Sequence, residues 1–181
     1  MELSDILSKL NWRLLLVHMA ACWFFIYAFR LFFIMHDLAI IDVFVHNQHA
    51  IKNLDPKRIT NDAMWVAVGQ VAGLLVGYLI SLLVSIKYQW SRLNSLIVFL
   101  VAYFLWRFSL FGWEHLALIF LAPGSFFKDD TAWYYIINGA VMLAIGLFLF
   151  FSKWAVQFIE AGQNEIDEDN DDEDVVVEEE E

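Results

Sequence analysis

Four long apolar runs, separated by shorter polar segments, set the hydrophobic pattern of this chain. Each run approaches or exceeds the roughly 20 residues that an α-helix needs to cross a bilayer. The pattern predicts transmembrane helices over 14–35, 63–86, 93–113 and 133–151. We therefore expect an all-α membrane protein in which residues 1–159 form one bundle of four transmembrane helices.

Two of the segments between the spans are apolar enough to stay at the membrane. The stretch 38–54 is predicted to lie as a helix on the membrane surface, and Pro56 ends it. The run 116–122 is too short to cross, and Pro123 and Gly124 follow it closely. We expect short interfacial segments after spans one and three, the second being a surface or re-entrant segment.

Small residues recur every fourth position along the second predicted span, as in a glycine zipper. They are Gly69, Gly73, Gly77, Ser81 and Ser85. In lipid, such a stripe lets another helix backbone approach closely, so we expect an inner helix rather than a helix surrounded by lipid. Gly139 and Gly146 give the fourth span a smooth face that is predicted to meet the stripe. Packing within one chain is the preferred interpretation, and self-association of several chains is the alternative.

The composition of the last residues, 160–181, is strongly acidic, in contrast to the apolar remainder of the chain. Sixty per cent of the chain is hydrophobic, against roughly 45–50% in soluble domains. Most of the net charge of −11 lies in 160–181, which has too few apolar residues to fold and is predicted to be disordered. The sequence shows no basic footprint for nucleic acid, so the expected partner is the lipid bilayer.

The basic residues of the connecting segments predict the orientation. One set precedes span one, lies between spans two and three, or follows span four, and the other set lies on the opposite side. The first set is Lys9, Arg13, Lys87, Arg92 and Lys153, and the second is Lys52, Lys57, Arg58 and Lys128. By the positive-inside rule this small bias places both termini in the cytoplasm. Because no organelle signal is evident, we expect the cell membrane.

A cluster of histidines and acids on the predicted outer side is the candidate metal site. Asp42, His46 and His49 would share one face of a helix. Further ligands from two other helix ends would be His36, Asp37, Glu114 and His115. Such a set suits a divalent metal such as zinc, and an open coordination position would activate water. The alternative is the ordinary polar face of a surface helix, because the spacing matches no established metal motif.

Arg30 and Arg107 lie one to two turns inside the predicted outer ends of spans one and three. In one interpretation both side chains extend to the lipid headgroups. In the other they attract an anionic ligand or pair crosswise, Arg30 with Glu114 and Arg107 with Asp37. His18 lies far from the other histidines, so a hydrogen bond to a neighbouring helix is expected and a haem ligand is disfavoured.

Several classes of enzyme are disfavoured because their sequence motifs are absent. The sequence has no phosphate-binding loop, no serine-hydrolase elbow and no dithiol pair. We therefore expect a small multi-pass membrane protein of accessory, binding or assembly type that presents the outer patch, with a membrane-protein partner or a second copy. One alternative is a metal-dependent enzyme that acts on a lipid-like or small substrate. Another is a small anion transporter using Arg30 and Arg107. Whether the protein is an enzyme stays open.

Overall fold

The computed structural model describes residues 10–46, 49, 53–108, 122–127 and 130–164, and every element in these ranges is helical. The longer helices are α1 (Trp12–Ile34), α2 (Leu38–His46), α3 (Pro56–Lys87), α4 (Arg92–Arg107), α5 (Thr131–Phe151) and α6 (153–164). A 3₁₀ turn (Met35–Asp37) joins α1 to α2, and a second 3₁₀ segment (Ala122–Phe127) precedes α5. The acidic residues 165–181 lie outside the described residues, so the disordered tail stays a prediction.

The predicted all-α class is confirmed, and three helical runs are long and apolar enough to cross a membrane. They are Trp12–Phe44, Pro56–Lys87 and Thr131–Phe151. The helix at the third predicted span, α4, has 16 residues. That length corresponds to about 24 Å, less than the roughly 30 Å of a hydrocarbon core. The rest of that predicted span, 109–113, lies outside the described residues, so the count of four spans stays a prediction.

Polar side chains fix where three of these helices begin. The Asn11 side chain accepts hydrogen bonds from the backbone of Arg13 and Leu14, both at 3.1 Å. Asp55 caps α3, with Pro56 in the first turn, so this helix starts before the predicted span. Asp130 accepts from the Trp133 backbone at the start of α5. Each cap satisfies backbone donors that a helix start leaves open.

Helix α1 is the centre of the bundle. Its Leu14, Ala21 and Ala28 are fully buried, and α3 and α5 pack on different sides of it. The outward residues of α3, by contrast, are exposed, Leu79 by 54% and Leu83 by 65%. The glycine-rich helix, which is predicted to be an inner helix, packs on α1 with its stripe and leaves its opposite face exposed. The stripe of small residues covers one face of α3, which meets α1 and, at Ser81 and Ser85, α4, whereas the side chains of α1 are buried on several sides.

The small-residue stripe of α3 faces α1. A Cβ atom added at Gly73 would lie 2.5 Å from the Phe25 carbonyl oxygen. One added at Gly77 would lie 3.0 Å from Cys22 Sγ. Both distances are shorter than ordinary contacts, so the two backbones approach as closely as they do because these positions lack a side chain.

The glycines of α5 also pack on α1. A Cβ at Gly139 would lie 2.7 Å from the Phe32 ring, and one at Gly146 would lie 2.7 Å from the Phe25 ring. The prediction that this face meets the stripe of α3 is therefore wrong, because α1 lies between the two. Phe25 contacts both neighbours, with its backbone near Gly73 and its ring near Gly146.

The helices α4 and α6 meet α1 at Asn11. The Asn11 amide donates to the Ile159 carbonyl at 2.9 Å, and its backbone N–H donates to Asn94 Oδ1 at 3.3 Å. We call this end of the bundle, with the start of α1, the end of α3 and the start of α4, the Asn11 end. The opposite end, which carries the turn Met35–Asp37 and the starts of α3 and α5, is the His36 end.

Candidate functional site

An ion pair closes the His36 end between α1 and α3. Arg58 donates from Nε to Asp37 Oδ2 and from Nη2 to Asp37 Oδ1, both at 2.6 Å. The Ile40 backbone donates to the same carboxylate at 3.3 Å. The fork of two parallel hydrogen bonds fixes the orientation of both side chains. Asp37 therefore pairs with Arg58, and the predicted pairing with Arg107 is wrong.

An aromatic stack holds His36 beside this ion pair. The His36 ring stacks on Trp65, with centroids 5.1 Å apart and planes 22° apart. The Trp65 ring also lies 6.4 Å from the ring of Phe33. Tryptophan is enriched where membrane meets water, so Trp65 is well suited to hold the turn at that level.

Asp62 is a site residue that sequence analysis missed. Its side chain is 7% exposed, and its Oδ1 has no hydrogen-bond partner among the described residues. It lies near enough to His36 and Asp37 to interact with both electrostatically. A signal was present in the sequence, because Asp62 precedes Gly69 by two helical turns and so continues the stripe that faces α1.

Asp42 anchors α2 to α5. Its carboxylate lies 2.9 Å from His46 Nδ1, one turn away, and accepts from Thr131 Oγ1 at 3.3 Å. On the underside of α2, Ile40 and Ile41 are buried. Helix α2 is therefore fixed both by apolar contacts beneath it and by Asp42 at its side.

The predicted metal ligands do not converge within the described residues. No group of three or more His, Cys, Asp or Glu side chains in these ranges is arranged to hold a metal ion. Asp37 is bound by Arg58, and the pair of Asp42 and His46 is a separate contact. Glu114 and His115 lie outside the described residues, so a site that includes them stays a prediction.

Arg30 and Arg107 lie at similar heights in the bundle. His18 of α1 and Ser95 of α4 both hydrogen-bond to Ser81 and so lie at one height. Arg30 follows His18 by 12 residues and Arg107 follows Ser95 by 12 residues, about 18 Å along each helix. The Arg30 guanidinium lies 5.7 Å from the centre of the Tyr27 ring, and Arg107 is exposed at the end of α4. Neither has an ion pair within the described ranges.

The segment Ala122–Phe127 packs along α5. The Gly124 backbone donates to Asn138 Oδ1 at 2.9 Å, and a Cβ at Gly124 would collide with that amide. Asn138 lies seven residues into α5, about 10 Å from its start. Gly124 therefore lies beside the second turn of α5, and the surface or re-entrant nature of 116–122 stays a prediction.

No protein-family model matches the chain, and neither the curated proteins nor the solved structures contain a significant match. Function is therefore inferred from the residues of this chain alone. The His36 end carries exposed ion pairs together with the buried Asp62, whereas the hydrogen bonds of Asn11, His18 and Ser95 are buried.

Proposed function

We propose that the protein is a small multi-pass membrane protein of accessory, binding or assembly type that presents its His36 end to a partner. The observation that carries this proposal is the two-pronged Arg58–Asp37 ion pair. Together with the Asp42 contacts it ties α1, α2, α3 and α5 at one end. Polar groups held in fixed positions lose little side-chain freedom when a partner binds them.

Lipid contact supports the membrane part of the proposal. The outward side chains of α3 are large and apolar, and Leu75, Leu79 and Leu83 are 46% to 65% exposed. Lipid chains are suited to cover such a face. In the proposed topology α4 and the residues after it form the third of four spans. Both termini would then lie on the cytoplasmic side of the cell membrane, as the basic residues favour.

Cysteine labelling tests this topology. In a Cys22→Ala background, single cysteines would replace His46, Lys87 and Gln157, whose side chains are all exposed. Each variant would be treated with a membrane-impermeant maleimide. The proposal expects Lys87→Cys and Gln157→Cys to react from one side of sealed vesicles and His46→Cys from the other. Reaction of the first two from opposite sides would contradict it.

Partner binding is tested at the ion pair. A photoreactive residue in place of His46 should crosslink one protein in near-stoichiometric yield, and Arg58→Ala should lower that yield. Lys57→Ala is the matched control, because Lys57 lies next to Arg58 and its side chain is exposed. The exchanged pair Asp37→Arg with Arg58→Asp should restore the yield. Equal yields in wild type and Arg58→Ala would show that the ion pair does not orient the binding surface, and no crosslink from His46 in wild type would exclude this end as the binding surface.

The contact between Asp42 and His46 favours a second candidate, a metal-dependent membrane enzyme. A carboxylate and an imidazole together form part of a zinc site. Elemental mass spectrometry on protein without a histidine tag tests it. Near-stoichiometric metal that is lost in a His46→Ala, His49→Ala variant would support the enzyme. No metal after incubation with metal salts would exclude it.

A further inference from the structure

Arg30 lies on a partly exposed side of α1 near the His36 end. Tyr27, one turn before it, and Ile34, one turn after it, are also partly exposed, whereas Ala28 on another side of α1 is fully buried. Ionisable side chains within a membrane span usually face the interior of the bundle, where protein groups neutralise them. Arg30 departs from this rule, so its counter-ion is expected to come from the surroundings of the bundle.

The described residues provide no ion pair for Arg30. Its guanidinium lies 5.7 Å from the centre of the Tyr27 ring, a contact that leaves the positive charge in place. The described acidic side chains at the His36 end cap helices, pair with another residue or lie beside such a pair. They are, in that order, Asp55 and Asp130, Asp37 and Asp42, and Asp62. An anion from outside the chain would therefore meet an uncompensated charge.

The phenol of Tyr135 extends this site from α5. Tyr135 lies one turn into α5, is partly exposed, and is near enough to Arg30 to interact with it electrostatically. The rings of Tyr27 and Tyr135 pack on the same apolar cluster between α1 and α5. Guanidinium and phenol groups both donate hydrogen bonds. Two donors for an anion thus lie beside the apolar surface where α1 and α5 meet.

Arg30 lies close to the level where the membrane meets water. Trp65 stacks on His36 and lies 6.4 Å from the Phe33 ring, and tryptophan is typical of that level. Arg30 precedes Phe33 by three residues, or about 4.5 Å along the helix. Arginine side chains near the ends of membrane helices extend to the headgroups over such distances. The phosphates of one leaflet are therefore within reach of Arg30.

We propose that Arg30 and Tyr135 bind the phosphate of one anionic phospholipid in the leaflet at the His36 end. The guanidinium presents parallel N–H donors that match two phosphate oxygens, and the phenol donates to the same phosphate. A zwitterionic headgroup carries its own ammonium, so the single charge of Arg30 favours a headgroup with net negative charge. This inference rests on the membrane part of the proposed function and is independent of a protein partner.

Lipid titration followed by native mass spectrometry tests this site. The full chain, delipidated in mild detergent, would be titrated with dioleoylphosphatidylglycerol. We expect one tightly bound lipid, an affinity about tenfold lower in Arg30→Gln, and an intermediate affinity in Arg30→Lys, which keeps the charge and loses the fork. Tryptophan fluorescence would establish that the variants unfold as wild type does. If Arg30→Gln does not, Arg30→Lys alone decides. Wild-type affinity in the folded variants would overturn the proposal.

Two further ligands identify the chemistry that is bound. Dioleoylphosphatidylcholine has the same acyl chains and phosphate but no net charge, and we expect it to bind more weakly than the anionic lipid. Inorganic phosphate has no acyl chains and should not displace that lipid. Equal affinity for the two lipids would overturn the preference for net negative charge. Displacement by phosphate alone would identify a site for free anions and overturn the lipid.

Arg107→Gln is the matched control for Arg30→Gln. It removes the same charge at a similar height, from an exposed position on α4, and should leave the affinity unchanged. An equal loss in both variants would mean that any arginine at this level attracts the lipid, and the site would be overturned. Glu114→Gln removes the acid that the sequence predicts as a partner of Arg30. A tenfold rise in affinity there would identify Glu114 as the counter-ion and overturn the proposal.

The phenol is tested separately, because Tyr135→Phe keeps the ring and removes only the hydroxyl. We expect about a threefold loss of affinity, the effect of one neutral hydrogen bond. Tyr134→Phe is the control, since the neighbouring ring lies 5.3 Å away and belongs to a different side of α5. Unchanged affinity in Tyr135→Phe would remove the phenol from the site.

Discussion

The two ends of the bundle hold their helices by different chemistry. At the His36 end the contacts involve charged groups near water, and the side chains of Arg58 and Asp42 are 51% and 63% exposed. At the Asn11 end the hydrogen bonds that join the helices are made by uncharged side chains, and Asn11, His18 and Ser95 are fully buried. Water screens the first kind of contact, whereas nothing replaces the second when a partner is lost.

This difference indicates which end determines stability and which is free to evolve a function. Buried neutral hydrogen bonds and close backbone contacts are costly to break, so they specify how the helices pack. Exposed ion pairs contribute little to the free energy of folding, but they orient polar groups that a partner can bind. Substitutions near Phe25 and Asn11 should therefore lower stability most, and those at Arg58 least.

The largest effect is expected at the contact of α3 with α1. Gly73→Ala places a methyl group 2.5 Å from the Phe25 carbonyl oxygen, and backbone atoms do not rotate away as a side chain does. We expect a loss of about 1–3 kcal/mol in the free energy of unfolding. Unfolding in mixed micelles, followed by tryptophan fluorescence, measures it. Val71→Ala on the outward face is the control, and equal losses would mean that the close approach is not required.

A smaller loss is expected from Asn11→Ala at the Asn11 end. The change removes the cap of α1 and the bond to Ile159, which together contribute about 1–2 kcal/mol. Asn11→Ser should recover the capping part only, so the same unfolding assay separates the two contributions. Asn61→Ala, an exposed amide on α3, is the control and should have no effect. A neutral result for Asn11→Ala would contradict the assignment of stability to this end.

The contacts with α1 show what the sequence predicts and what it does not. The apolar runs predict the helices, because length and hydrophobicity are local properties. The spacing of Gly69, Gly73 and Gly77 identifies a helix face but not its neighbour. The partner depends on how α1 fills the space between α3 and α5, which is a property of three helices together. The same holds for Asp37, whose partner Arg58 comes from the far side of a long connection.

Asp62→Asn should raise stability, in contrast to the other substitutions. The carboxylate is covered by its immediate neighbours, and one oxygen lacks a partner among the described residues. Replacing a buried charge by a neutral group of the same shape is expected to stabilise the fold by about 1 kcal/mol. Asp55→Asn on the same helix is the control, since Asp55 is exposed and Asn caps a helix equally well. A destabilised Asp62→Asn would instead mean that the carboxylate binds a cation or a donor.

The smallest effect is expected at the Arg58–Asp37 ion pair, although two hydrogen bonds of 2.6 Å join its side chains. Arg58 is half exposed, so its charge is well hydrated without Asp37. We expect Arg58→Ala to leave the unfolding transition almost unchanged and any residual difference to vanish in high salt. A double-mutant cycle with Asp37→Ala in the same micelle assay measures the coupling, and Lys57→Ala controls for removal of a nearby charge. A strong coupling that persists in high salt would place this pair in a water-poor layer, and both ends would then hold their helices in the same way.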